Sequence, residues 1–190
     1  MIIFLNKQLI MKTKLFFTIL FFAAFCGFSQ SKKITKTGDI RFEASVPSFE
    51  EVKAQNKTAT VVLNTETGEI AALALIKGFR FKIALMEEHF NENYLESDRH
   101  PKATFKGKVY GFDMNKLSES DREFTIKGML ELHGKSKEIT VPAKIKKTEE
   151  GIALTTDFTV NSDDFNIQIP KMVSNKVSKK VNISVDCILK

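Results

Sequence analysis

Apolar and polar residues alternate with a period of two along most of the chain, the signature of half-buried strands. Ile40, Phe42, Ala44 and Val46 alternate with Arg41, Glu43 and Ser45. Ala59, Val61 and Leu63 precede the turn-rich Asn64-Thr65-Glu66-Thr67-Gly68, and Ile70 to Phe79 is a more continuously apolar strand. The pattern returns in Ala103, Phe105 and Val109, then in Phe124, Ile126, Leu130 and Leu132. Gly134 and Lys135 are expected to turn the chain into Ile139, Val141, Ala143 and Ile145. After Glu150-Gly151 come Ile152, Leu154, Phe158 and Val160, and the last strand is Val181 to Leu189. About eight strands joined mostly by short turns favour antiparallel pairing. One stretch departs from this rhythm. Ile83, Met86, Phe90 and Tyr94 are spaced by three and four, which predicts a helix over 83–95 ended by Ser97-Asp98-Arg99-His100-Pro101.

The fold class is therefore all-β, with about eight antiparallel strands and one short helix. Such a set either closes into a barrel or packs as two sheets. An eight-stranded barrel has an interior that side chains fill or that holds one small ligand. The inward positions are mostly Ile, Val, Leu, Ala and Phe, so the interior is expected to be a solid core or an apolar site.

The N-terminal residues have another pattern. Lys12-Thr13-Lys14 is basic, Leu15 to Phe25 is apolar apart from Thr18, and Gly27 and Ser29 are small residues placed for cleavage before Gln30. Residues 1–29 are expected to be a secretory signal peptide, with translation starting at Met11, and residues 30–190 the barrel domain. The apolar run is short for a membrane span, so no stable span is expected in the mature chain. Phe25 is too large for the position before an acylated Cys26, which disfavours a lipoprotein. The protein is expected to be periplasmic or secreted. The mature chain then holds a single cysteine, Cys187, and no internal disulfide; its alternation places it on the apolar face of the last strand.

Charge and chemistry narrow the function. Net charge is +6 over 190 residues, and Lys7, Lys12 and Lys14 account for half of it. The scattered remainder excludes a nucleic-acid interface. The three histidines, His89, His100 and His133, have no metal-ligand spacing, so no metal site is expected. No nucleophile elbow, phosphate loop or dinucleotide glycine pattern occurs. Asp163-Asp164 reads as a turn rather than an acid pair, and Lys171, Lys176, Lys179 and Lys180 as a solvated loop or a site for an anionic head group. Asn56-Lys57-Thr58 and Asn182-Ile183-Ser184 match the glycosylation triplet.

Three segments in order are similar to the YceI-like family of lipid- and polyisoprenoid-binding proteins. Leu85 to Leu95 with Pro101-Lys102-Ala103-Thr104-Phe105 resembles the family's helix and the strand that follows it. Gly128 to Pro142, containing Leu130-Glu131-Leu132-His133-Gly134, resembles its hairpin, and Phe158 to Ile167 a third segment. The opening strand with a His-Ser pair is missing, and Asn166 stands where the family has glycine. The resemblance implies a lipocalin-like barrel around an elongated apolar cavity that carries an isoprenoid or other long-chain lipid, with no enzymatic activity and no cofactor. The expected lining is Phe79, Phe81, Met86, Phe90, Tyr94, Phe105, Phe124, Leu130, Phe158 and Phe165. The alternatives are a solid-core domain that binds partners at the envelope, and an enzyme acting on a lipid within the barrel.

Overall fold

The computed structural model describes residues 31–190; the expected signal peptide, its start at Met11 and Cys26 lie outside the described residues. Among the described residues there are nine strands: β1 (Lys32–Ser45), β2 (Lys53–Asn64), β3 (Glu69–Leu75), β4 (Arg80–Phe81), β5 (Lys102–Tyr110), β6 (Arg122–Leu132), β7 (Lys135–Thr148), β8 (Gly151–Asn161) and β9 (Val177–Leu189). All the pairings are antiparallel, in the order β1-β9-β8-β7-β6-β5-β3-β2, and β2 pairs back onto β1. The ring is a closed eight-stranded barrel with no free edge. Two-residue β4 pairs with β2 at Ala54 and Gln55.

The expected strand over Ile70 to Phe79 is interrupted by a 3-10 turn, Ile76–Gly78. Asn56, fully buried, donates its Nδ2 to the Leu75 carbonyl at 3.0 Å and diverts the chain there. A Cβ at Gly78 would come within 2.6 Å of that Nδ2, so only glycine passes. Asn56 Oδ1 accepts from Thr58 N and Oγ1, both at 2.8 Å. Its role is structural, and a buried amide with three bonds is not a glycosylation acceptor in the folded chain.

The turn between β6 and β7 is His133–Gly134 rather than Gly134–Lys135. Leu132 pairs with Lys135, and φ is positive at both central residues, 50° and 70°. Two left-handed residues make the turn whose twist matches the strands it joins.

Helix α1 (Ala84–His89) is shorter than the spacing predicts and continues as a π-turn, Phe90–Tyr94. The Leu95 amide reaches back five residues to the Phe90 carbonyl at 2.9 Å, which tucks Leu95 into the interior. No helix among the described residues is long and apolar enough to cross a membrane.

The two ends of the barrel differ. At one end Leu63, Ile70, Val109, Phe124, Ile145, Ile152 and Leu189 form a packed core, closed by Phe112, Met114 and Leu117 from the β5–β6 connection. That connection is strapped by Lys147 N to the Ser118 carbonyl at 2.7 Å. Toward the other end the inward residues Ala72, Ala103, Phe105, Leu130, Leu132, Ile139 and Phe158 are only half-buried. Part of their apolar surface faces interior space, while Ala72, Phe105, Ile139 and Phe158 also pack against the core.

Candidate functional site: an apolar cavity open at one end

That interior space is a cavity of about 560 Å³, within the usual range for small-molecule sites, about 300–1,000 Å³. Its floor includes Ile126, Val141 and Leu154, and its wall includes Ala72, Phe105, Leu130, Phe158 and Val185. The mouth is built by α1, the β1–β2 connection and the segment between β8 and β9.

Nine of the ten residues expected to line the site do line this cavity: Phe79, Phe81, Met86, Phe90, Tyr94, Phe105, Leu130, Phe158 and Phe165. Phe124 does not. It points inward as its alternation requires, but at the closed end, where its ring packs 6.0 Å from that of Phe112 and under the Arg122 guanidinium. Periodicity gives the face of a strand and says nothing of height along the barrel. Ala143 is likewise inward, opposite Phe124 in the packed core and away from the cavity.

Four phenylalanines close one side of the mouth. Phe42 on β1 stacks on Phe90 at 5.3 Å, and Phe79 and Phe81 lie 5.5 and 5.7 Å from Phe42. Phe90 in turn meets Phe81 at 5.1 Å and Phe79 at 5.8 Å. The cluster fastens α1 to the barrel, because the helix has no fully buried residue and no side-chain cap of its own. An ion pair from Arg80 to Glu87 at 2.7 Å and a bond from Phe81 N to Glu87 Oε2 at 3.1 Å complete the attachment. Phe42 is absent from the sequence-derived lining, although its inward alternation was a sufficient signal. Ile167, Ile169 and Val173 also line the cavity; they lie in an irregular segment where no periodicity could reveal them.

Phe105 owes its position to two glycines. Gly107 and Gly128 face each other across β5 and β6, and a Cβ on either would come within 2.7 Å of the Phe105 ring tip. The ring therefore lies flat over a stretch of wall without side chains, leaving the lumen clear.

Polar groups at the cavity are few. Thr156 Oγ1 is bonded to the Pro142 carbonyl at 2.6 Å, whereas Ser162 Oγ is buried without a partner. The ionisable lining groups are Glu50, His89, Tyr94 and Lys176. Asp163 pairs with Lys179 at 2.9 Å and Asp164 with Lys137, so these neighbouring carboxylates serve separate ion pairs and not one acid site. Outside the cavity, Cys187 is a free, buried thiol opposite Leu154, and burial pushes its pKa up to about 11. It is an inert core residue.

The family model of the YceI-like domain matches residues 23–189. The chain belongs to the YceI-like family. Solved structures share the barrel at low identity. A polyisoprenoid binding domain from Saccharophagus degradans superposes with a TM-score of 0.73 at 14% identity, covering 85% of this chain and 99% of that one. BcnA of Burkholderia cenocepacia gives 0.64 at 14% identity, over 78% and 94%. The YCEI protein of Campylobacter jejuni gives 0.58 at 17% identity, over 76% and 89%. No curated protein sequence matches the chain. For a YceI-like chain the expected closed antiparallel barrel with one short helix is what the structure has.

Proposed function

We propose that this YceI-like protein binds an elongated apolar molecule, an isoprenoid or another long-chain lipid, with its tail in the barrel and its polar end at the mouth. The observation that carries the reading is the one-ended apolar cavity. Each methylene taken from water contributes about 0.8 kcal/mol, so a tail long enough to reach Ile126 and Leu154 is held without polar contacts. At the mouth Lys176 and His89 suit an anionic or hydrogen-bonding head group, and the unpartnered Ser162 hydroxyl offers a bond inside. The solid-core alternative requires a filled interior, which a cavity of this size disfavours. For the enzyme alternative, the described lining residues supply no hydrogen-bonded nucleophile and base. The binding domain from Saccharophagus degradans has the same fold and supports the reading by analogy.

We assign the protein to the exported fraction, cleaved before Gln30. Material purified from its own exporter should have an intact mass that begins at Gln30 and should release one apolar chain on solvent extraction, identified by mass spectrometry. Protein that releases no lipid, and after delipidation binds neither isoprenoid nor fatty-acyl probes saturably, would overturn the binding reading. A mature mass that retains Leu15–Phe25 would overturn the export assignment.

A further inference from the structure

Three side chains that are distant in sequence or lack helical context meet on the rim, outside the cavity lining. Glu96 and His100 belong to the turn between the π-turn and β5, where the Glu96 carbonyl accepts from the His100 amide at 2.9 Å and sets the two side by side. His133 comes from the β6–β7 turn. One ligand atom from each of the three lies within 4.8 Å of the others, and all three residues are half-buried. The two imidazoles meet edge to face with centroids 4.7 Å apart. The His100 ring lies over Gly134, where a Cβ would come within 2.8 Å of it.

The tautomer of His133 is the deciding detail. Its Nδ1 lies 3.0 Å from the Phe165 carbonyl, an oxygen that can only accept, so Nδ1 carries the proton. Nε2 is then a bare lone pair, and it is buried without a hydrogen-bond partner. An unpaired buried acceptor is costly. An imidazole held by a backbone carbonyl through one nitrogen, with the other free, is the arrangement in which histidine ligates a metal. Two of these residues also hold left-handed backbone angles, Glu96 at φ 42° and His133 at φ 50°. Glu96 gives one oxygen, Oε2, to Arg99 at 2.5 Å and keeps the other.

We infer that Glu96, His100 and His133 form a site for a divalent transition-metal ion of the Zn²⁺ class, separate from the lipid cavity. Two imidazoles and one carboxylate suit zinc, with water completing a tetrahedron. They do not suit Mg²⁺ or Ca²⁺, which prefer all-oxygen shells. Bonds of about 2.0–2.2 Å to such donors require the three side chains to close around the ion. The ion would join the segment before β5 to the β6–β7 turn. Through His133 and the Phe165 carbonyl it would also reach the turn after β8, and so staple three parts of the rim.

The test uses the mature chain without a histidine tag, stripped by chelator. Zn²⁺ titrated by calorimetry should bind one ion per chain and raise Tm, and Mg²⁺ should do neither. Co²⁺ in its place should give the intense visible bands of a tetrahedral site. His100→Gln and Glu96→Gln, both away from the His133 carbonyl bond, should fold with the parental Tm without metal and lose the Zn²⁺-dependent rise and the Co²⁺ bands. Absence of stoichiometric Zn²⁺ binding by the parent, or binding at parental affinity by either variant, would overturn the site. Lipid extraction plays no part in this readout, so failure here leaves the cavity reading intact, and the converse also holds.

Discussion

A single indole placed at two heights in the barrel separates a cavity from a filled core. Ala72 on β3 and Ala143 on β7 both point inward. Ala143 is 3% exposed, faces Phe124 across the β6–β7 register and belongs to the closed-end core. Ala72 is half-buried, faces Phe105 and borders about 560 Å³ of space. At position 143 the ring has nowhere to go. Overpacking costs about 1–3 kcal/mol, which for a domain of this size lowers Tm by about 2–12 °C. At position 72 the ring enters the lumen, so Tm of the delipidated protein should stay within about 2 °C of the parent. The indole then takes volume from the lipid. Displacing about three methylenes removes about 2.4 kcal/mol of transfer free energy, roughly a fifty-fold loss of affinity. The sequence contains no tryptophan, so the fluorescence of Ala72→Trp reports directly on the lumen, and thermal melts with a lipid-binding titration complete the assay. Equal loss of Tm in both variants would mean that the interior is solid at the height of Ala72. Parental lipid affinity in a well-folded Ala72→Trp would mean that the lipid does not bind in the barrel. Ala74 is the poorer position for this experiment, since it is 4% exposed and already packed with Ala54, Ala59 and Phe79.

Two further outcomes follow from buried groups. Cys187 should react slowly with thiol reagents in buffer and quickly in denaturant. Its pKa is raised by burial from 9.0 to about 11, so the unfolded chain loses the proton first. The stability this group supports is complete below pH 9 and is lost as pH rises toward 11, by a few kcal/mol at most. Urea melts of Cys187→Ala should therefore lack that part of the alkaline decline, and parallel pH profiles for parent and variant would refute the burial argument. Asn56→Ala leaves the Leu75 carbonyl without its partner, at a cost of about 1–3 kcal/mol, and should loosen the Ile76–Gly78 turn; an unchanged Tm and unchanged amide exchange across that turn would refute the structural role.

How much of this was legible in the sequence depends on which physical variable each feature obeys. The faces of seven of the eight barrel strands follow from period-two alternation, because a closed sheet has one dry side and one wet side; β3, Glu69-Ile70-Ala71-Ala72-Leu73-Ala74-Leu75, is too continuously apolar to show its face. Position along the barrel axis obeys no such period. Phe124 and Phe105 have the same kind of alternation, yet one is sealed under Phe112 and the other borders the lumen, a difference decided by the β5–β6 connection that plugs one end. The break at Ile76 depends on Asn56, twenty residues earlier, and on the space above Gly78. Contacts of that range leave no local trace. The same holds for the rim cluster. His100 and His133 show no ligand spacing in the chain, and only the β5–β6 pairing, which sets Thr104 beside Glu131, brings the residues beyond those strand ends together. Local patterns thus report the wall of the barrel, while its ends, where the mouth and the rim cluster lie, are assembled from irregular segments by long-range pairing. It follows that chains sharing the strand pattern can differ in cavity depth and rim chemistry with little change in the barrel.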